Sequence, residues 1–352
     1  MNTTAILLMN LGSPASPETK DLKPYLSEFL MDERVIDVPY LLRSILVKGI
    51  IVPFRASKSA AKYKTVWTKE GSPLVAHTVK LTQKVRERFP EPVYYCMRYG
   101  SPATADVLKK MHEENPGLNK IIFLPLYPHY AMSSYETGVV QVEEMHKAAG
   151  YTSSLNIIPP FYNNRSYISA LSNAIEPFLE KEYDHILFSY HGIPERHVKK
   201  TDCTGMHCLK TENCCSVHSA AHAFCYRHQV ITTTELVTDK LKIDKNKYSF
   251  SFQSRLGRDA WLKPFTTKQL EHFPKLGIKK LLIVCPAFVS DCLETLEEIE
   301  KEGAEDFIKA GGERLTMIPA LNENTDWIDC VEELIKKEMQ VSETRTPVSS
   351  DS

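Results

Sequence analysis

The chain has almost no net charge: its 352 residues carry 43 Lys and Arg against 44 Asp and Glu. A general nucleic-acid binder needs a basic excess, so the balance argues against that class. Nor is there an uninterrupted apolar run long enough to cross a bilayer. The apolar stretch 5–9 is short, follows no basic segment and runs straight into Asn10-Leu-Gly12-Ser-Pro14, which is not the pattern of a secretory signal. No Gly-x-Gly-x-x-Gly follows any apolar run, which argues against the nucleotide-binding Rossmann enzymes. A cytoplasmic protein is expected, in a reducing compartment that disfavours structural disulfides although the chain has 9 Cys.

What is present is an alternation of short apolar runs and amphipathic stretches. Strands are predicted at 4–11, 93–98, 120–124, 154–158, 185–190, 248–253, 280–284 and 315–318. Continuous apolar runs suit buried parallel strands, and helical crossovers between them make an α/β fold. The halves also resemble each other. Ala5-Ile-Leu-Leu-Met-Asn-Leu-Gly12-Ser-Pro14 pairs with His185-Ile-Leu-Phe-Ser-Tyr-His-Gly192-Ile-Pro194, Arg98-Tyr-Gly100 with Arg255-Leu-Gly257, and Ile121-Ile-Phe-Leu-Pro-Leu with Leu281-Leu-Ile-Val-Cys-Pro. Three matches in one order imply two similar domains with a ligand cleft between them. The boundary is expected at Pro159-Pro160, giving domains 1–158 and 159–322, a final helix at 323–340 and a disordered tail at 341–352. Segment 40–64 interleaves Leu41, Leu42, Ile45 and Phe54 with Arg43, Arg55 and Lys58, as either an ordinary amphipathic helix or a membrane-facing one.

Two strand ends carry chemistry. His191 follows the fifth predicted strand, and imidazole both transfers protons near neutral pH and ligates divalent metals. Asp291, Glu294 and Glu298 follow the seventh, spaced to share one face of an α-helix. Acidic residues at a helix start also simply favour the helix dipole. Aligned carboxylates beside an imidazole can relay protons or hold a hard cation.

Ser189-Tyr-His191-Gly-Ile-Pro194 followed by Cys292-Leu-Glu294-Thr-Leu-Glu-Glu298-Ile resembles the ferrochelatases, which insert ferrous iron into a porphyrin. Asn10-Leu-Gly-Ser-Pro14, Arg98-Tyr-Gly100, Leu126-Tyr-Pro-His-Tyr130, Phe252-Gln-Ser-Arg255, Trp261-Leu and Pro319-Ala-Leu-Asn322 fit the same family in the same order. The resemblance implies two Rossmann-like domains with the porphyrin between them. It implies His191 and Glu294 facing each other across the macrocycle as catalytic and iron-binding groups, with Asp291 and Glu298 behind Glu294. It also implies Leu11, Arg98, Tyr127, Tyr130 and Trp261 as porphyrin neighbours, and segment 40–64 as a pocket lip that could touch the inner membrane. Protoporphyrin IX is the expected substrate and protohaem the product. A coproporphyrin-using enzyme, a cobalt or nickel chelatase of similar fold and a non-catalytic haem-binding or metal-binding protein are the alternatives.

The chain is longer than the shorter bacterial ferrochelatases within 198–228, where the pattern is Cys203-x4-Cys208-x5-Cys214-Cys215-x9-Cys225. Some family members carry a [2Fe–2S] cluster, which Cys203, Cys208, Cys215 and Cys225 would hold here, with Cys214 as the alternative to Cys215. Mixed ligation of zinc with His207, His218, His222 or His228, and free thiols, are the competing readings.

Overall fold

The computed structural model describes residues 3–344 apart from Leu256 and Arg258. Eight strands, β1 (Thr3–Ser13), β2 (Val93–Gly100), β3 (Leu118–Pro125), β4 (Ser154–Ile157), β5 (His185–His191), β6 (Tyr248–Gln253), β7 (Lys280–Val284) and β8 (Arg314–Met317), fall on the eight predicted runs. They form two four-stranded sheets, ordered β2-β1-β3-β4 and β6-β5-β7-β8, with every pairing parallel. The fold is therefore α/β, and the second half repeats the strand order of the first. β1 and β5 are central strands buried on both faces, which is why they read as unbroken apolar runs.

The repeat reaches down to single residues. Gly12 ends β1 and Gly192 follows β5 at matching positions. A Cβ on Gly12 would lie 1.8 Å from the carbonyl oxygen of Tyr99 at the end of β2, and one on Gly192 would lie 2.7 Å from that of Gln253 at the end of β6. Each glycine lets the chain leave its strand while pressed against the neighbouring strand end.

The two sheets share one core. Ile6, Leu8, Ile122 and Leu124 of the first sheet join Ile186, Phe188 and Leu282 of the second, through helices Arg165–Leu179 and Thr325–Thr344 and the fully buried Trp327. Residues 341–344, expected in a disordered tail, instead continue the last helix; 345–352 lie outside the described residues.

Segment 40–64 belongs to a helical run made of Tyr40–Ser44, a π-helical stretch Ile45–Ile51 and Val52–Val66. Val47, Val52, Ala56, Ala60 and Tyr63 face inward, while Tyr40, Leu41, Leu42, Ile45, Ile50 and Phe54 are each more than half exposed. This is not the apolar-in, basic-out arrangement of an ordinary surface helix. Among the described residues no helix is long and apolar enough to cross a membrane.

Candidate active site

In a sheet of order 2-1-3-4 the chain leaves the central strand in opposite directions on its two sides, and ligands bind at the crevice this opens beyond the carboxyl ends of the strands. Both crevices open into one cleft of about 980 Å3, its open mouth included. From the first half come Asn10, Leu11, Gly12 and Ser13 at the carboxyl end of β1, and Tyr127 and His129 after β3. From the second come His191 and Ile193 after β5, and Phe288, Ser290, Leu293 and Glu294 after β7. Tyr25, Phe29 and Tyr63 add aromatic surface from the helices of the first half. Among the described residues this lining contains no lysine or arginine.

The His191 ring has a defined proton. Its Nδ1 lies 2.7 Å from the Gly192 carbonyl oxygen, and a carbonyl only accepts. Nδ1 therefore carries the hydrogen, and in the neutral ring the lone pair is on Nε2. Behind the ring, the Tyr226 hydroxyl donates to the His191 carbonyl oxygen at 2.9 Å, and buried Trp261 packs against Gly192.

The carboxylates do not form one α-helical face. Glu294–Gly303 is a π-helix, whose i→i+5 hydrogen bonds widen the turn so that residues four to five apart share a face. Glu294 and Glu298 fall in file on it, whereas Asp291 precedes it. Glu294 lines the cleft. Burial pushes the Glu298 carboxyl above its ordinary range, against hydrogen bonds from the Ser254 amide (2.9 Å) and hydroxyl (2.6 Å) and the field of His191, with the Glu294 charge adding to the rise. Asp291 is buried and committed elsewhere: it accepts from Asn322 Nδ2 at 2.8 Å, from the Thr295 hydroxyl at 2.9 Å and from the Ala320 amide at 3.3 Å.

Of the expected porphyrin neighbours, Leu11 and Tyr127 line the cleft, and Arg98, Tyr130 and Trp261 do not. The Arg98 guanidinium pairs with Asp32, which also receives the hydroxyls of Tyr99 and Thr137. Tyr130 donates to Glu136 and packs its ring edge against Phe224. Trp261 backs the His191 loop instead of facing the cavity.

Sequence reasoning missed Tyr25, Phe29, Tyr63, His129 and Tyr226. Burial first, with the nearby Glu294 carboxylate adding to it, pushes the Tyr25 and Tyr63 phenols well above their ordinary range, so both stay neutral, and Tyr25 donates to the Gly12 carbonyl oxygen at 3.2 Å. The Thr233 hydroxyl donates to the Tyr162 carbonyl and so accepts from His129 Nε2 at 2.9 Å. Burial pushes this imidazole down to about 3, which keeps it neutral. The i, i+4 spacing of Tyr25 and Phe29 was the one available signal for this wall.

In the cysteine insert, Cys208, Cys214, Cys215 and Cys225 are buried and Cys203 is exposed. The Cys225 thiol neighbours those of Cys208 and Cys215, and Cys214 is close to both Cys208 and Cys215. Arg227 Nη1 lies 3.2 Å from Cys215 Sγ. The imidazoles of His207, His222 and His228 are turned to the backbone carbonyls of Cys214 and Cys215. Among the described residues no group of three or more His, Cys, Asp or Glu side chains stands in metal-ligating geometry.

Comparison with known proteins agrees with the cleft. The sequence profile of the family described as Ferrochelatase matches residues 3–339. The ferrochelatase of Opitutus terrae is 46% identical over 97% of this chain and 99% of its own. That of Pseudomonas syringae pv. tomato is 43% identical over 93% and 96%, and that of Stutzerimonas stutzeri 42% identical over 97% and 99%. Among solved structures, SirB from Bacillus subtilis with Fe3+ superposes with a TM-score of 0.55 over 97% of this chain and 98% of that one, at 9% identity. The sirohydrochlorin chelatase SirB from Bacillus subtilis subspecies spizizenii in complex with cobalt gives 0.56 at 8% identity, over 97% and 98%. At that identity the two structures bear on the fold alone. The chain belongs to the ferrochelatase family.

The hydrogen bonds of Asp291 give it a structural duty. Replacing Asp291→Ala leaves Asn322, Thr295 and the Ala320 amide short of an acceptor, and should lower unfolding free energy by ~3 kcal/mol. Urea denaturation measures this, and a wild-type midpoint in the variant would remove the assignment.

Proposed function

We propose that the cleft inserts ferrous iron into protoporphyrin IX to form protohaem, with His191 and Glu294 at the reacting nitrogens and metal. The observation that carries this reading is an imidazole with its lone pair fixed on Nε2 and the Glu294 carboxylate lining one largely apolar cleft, with Glu298 next in file on the π-helix behind it. Metallation removes two pyrrole N–H protons and replaces the water around Fe2+ with porphyrin nitrogens. Nε2 of His191 accepts a pyrrole proton. Glu294 supplies a hard oxygen ligand that takes the place of water on the entering cation. Glu298, whose proton affinity burial has raised, takes the second proton along the π-helix. The aromatic walls suit the flat macrocycle. A lining without Lys or Arg favours the porphyrin with fewer propionates, because each additional carboxylate would be desolvated without a cation to meet it.

Anaerobic insertion of Fe2+ into protoporphyrin IX, followed by absorbance, tests the proposal. His191→Ala and Glu294→Gln should each lower turnover by at least ~10²-fold, while porphyrin affinity from fluorescence quenching stays near wild type. A variant that turned over at the wild-type rate would strip its residue of the role. Porphyrin binding without metallation by the unmodified protein would favour a binding protein instead.

Two accessory features accompany this reading. The buried cysteines fit a [2Fe–2S] cluster by donor chemistry, since four thiols are gathered and the imidazoles that would complete a mixed zinc site are engaged with carbonyls. Cys208, Cys214, Cys215 and Cys225 would hold it, with Cys203 outside the set, and the thiols would shift to do so. Anaerobically purified protein should then show visible cluster absorption that Cys203→Ser keeps and Cys214→Ser loses. Loss in the Cys203 variant alone would restore Cys203 as the ligand.

The exposed apolar row Tyr40, Leu41, Leu42, Ile45, Ile50 and Phe54, with Lys48, Arg55 and Lys58 on the same helical run, would rest on an anionic membrane surface. The protein should co-sediment with vesicles containing phosphatidylglycerol, and Leu41→Asp with Phe54→Asp should release it. Equal sedimentation of the variant would remove the contact.

A further inference from the structure

One helix, Tyr226–Lys240, ties the cysteine knot to both halves of the cleft wall. Its N-cap is Cys225, whose free thiol neighbours those of Cys208 and Cys215. The next residue, Tyr226, lines the cleft and donates its hydroxyl to the His191 carbonyl oxygen at 2.9 Å. One turn on, Gln229 is fully buried; it donates to the carbonyls of His222 and Ala223 in the knot and accepts from the Tyr130 amide at 2.7 Å. Thr233 receives the His129 ring, and the Thr234 hydroxyl meets that of Tyr190, the residue before His191. Along this path the backbone of the residue that carries the reacting imidazole is therefore held by the residue adjoining a knot cysteine.

We propose that Tyr226 is a positioning residue that holds the His191 backbone in register and makes metal insertion depend on the closed cysteine knot. The proposal rests on the chelatase reading of His191. The reason is geometric. His191 ends β5, and its ring is oriented by a bond to its own neighbour, Gly192, so the ring follows the backbone of that turn. Side-chain hydrogen bonds fix that turn from outside through the Tyr226 hydroxyl. Loosening Cys225 frays the start of the helix, where Tyr226 is the first residue. The knot thus reaches the chemistry without touching the substrate, whether thiols or a cluster close it.

Tyr226→Phe keeps the ring packing against His129 and Phe252 and removes only the donor. It should lower kcat roughly tenfold, the scale of one buried hydrogen bond. KM for protoporphyrin and affinity from fluorescence quenching should stay within about twofold of wild type, and the 15N shifts of the His191 ring should move. Cys225→Ser, which removes the thiol from the knot while leaving a small side chain at the N-cap, should also lower kcat, and the Tyr226→Phe/Cys225→Ser double variant should be no slower than the worse single one. Multiplying effects in the double variant, or wild-type kcat in Tyr226→Phe, would overturn the proposal. Cys208→Ser takes the place of Cys225→Ser should that chain not fold. An inactive unmodified protein would instead strike the chelatase reading itself.

Discussion

The site depends on the wide turn of the π-helix Glu294–Gly303. Such a turn is intrinsically rare and is kept by what surrounds it. At its start, Gln253 Nε2 donates to the Glu294 carbonyl oxygen at 3.2 Å, and Ser254 gives both its donors to Glu298. On its outer side, Lys62 reaches Glu297 at 3.0 Å and Glu302 at 2.6 Å, and Lys301 Nζ reaches the Thr65 carbonyl. The end of β6 and the helical run that begins at the lip therefore clamp the π-helix from two sides. Within this clamp Glu294 and Glu298, four residues apart, stay on one face of the turn.

Charge compensation separates the carboxylates that build the wall from those free to react. Asp32 is held below its ordinary range because hydrogen bonds from Thr137, the Arg34 amide and Tyr99, together with the Arg98 charge, outweigh its burial. Glu297 has Lys62 as an ion-pair partner, although burial still holds its carboxyl above the ordinary range, and Asp291 has three neutral donors. Glu298 has Ser254 and the field of His191 against strong burial, and its proton affinity still rises. A buried carboxyl left short of partners at a cleft is suited to proton exchange, whereas a fully paired one stabilises the fold.

The strands were legible because both central strands are buried on both faces, and His191 and Glu294 followed from the rule that strand ends carry ligands. The carboxylate spacing misled in a specific way: helical periodicity would put Asp291 on the face of Glu294, but the helix begins only after Asp291, which is held by Asn322, Thr295 and Ala320. Arg98 looked available for a propionate because its partner, Asp32, lies 66 residues away in sequence. Tyr25, Tyr63 and Tyr226 come from helices whose approach to the cleft is set by tertiary packing, and no local pattern announces that. Among the cysteines, spacing could not separate exposed Cys203 from buried Cys214, since burial in an irregular loop is a property of the folded knot.

The repeat also accounts for the chemical one-sidedness of the cleft. Aligned on Gly12 and Gly192, Leu11 stands where the second half has His191, and Ser13 where it has Ile193. Both glycines abut the carbonyl of the adjacent strand end, so the two turns present their preceding residues in equivalent ways. The same backbone device thus delivers an apolar side chain from one half and an imidazole from the other. After β3 the first half supplies Tyr127 and a neutral His129, while after β7 the second supplies Glu294. The first half supplies mostly wall, and the second carries His191 and Glu294, the groups proposed to exchange protons and meet the metal. A flat macrocycle between such halves would meet apolar and aromatic surface from one and titratable side chains from the other.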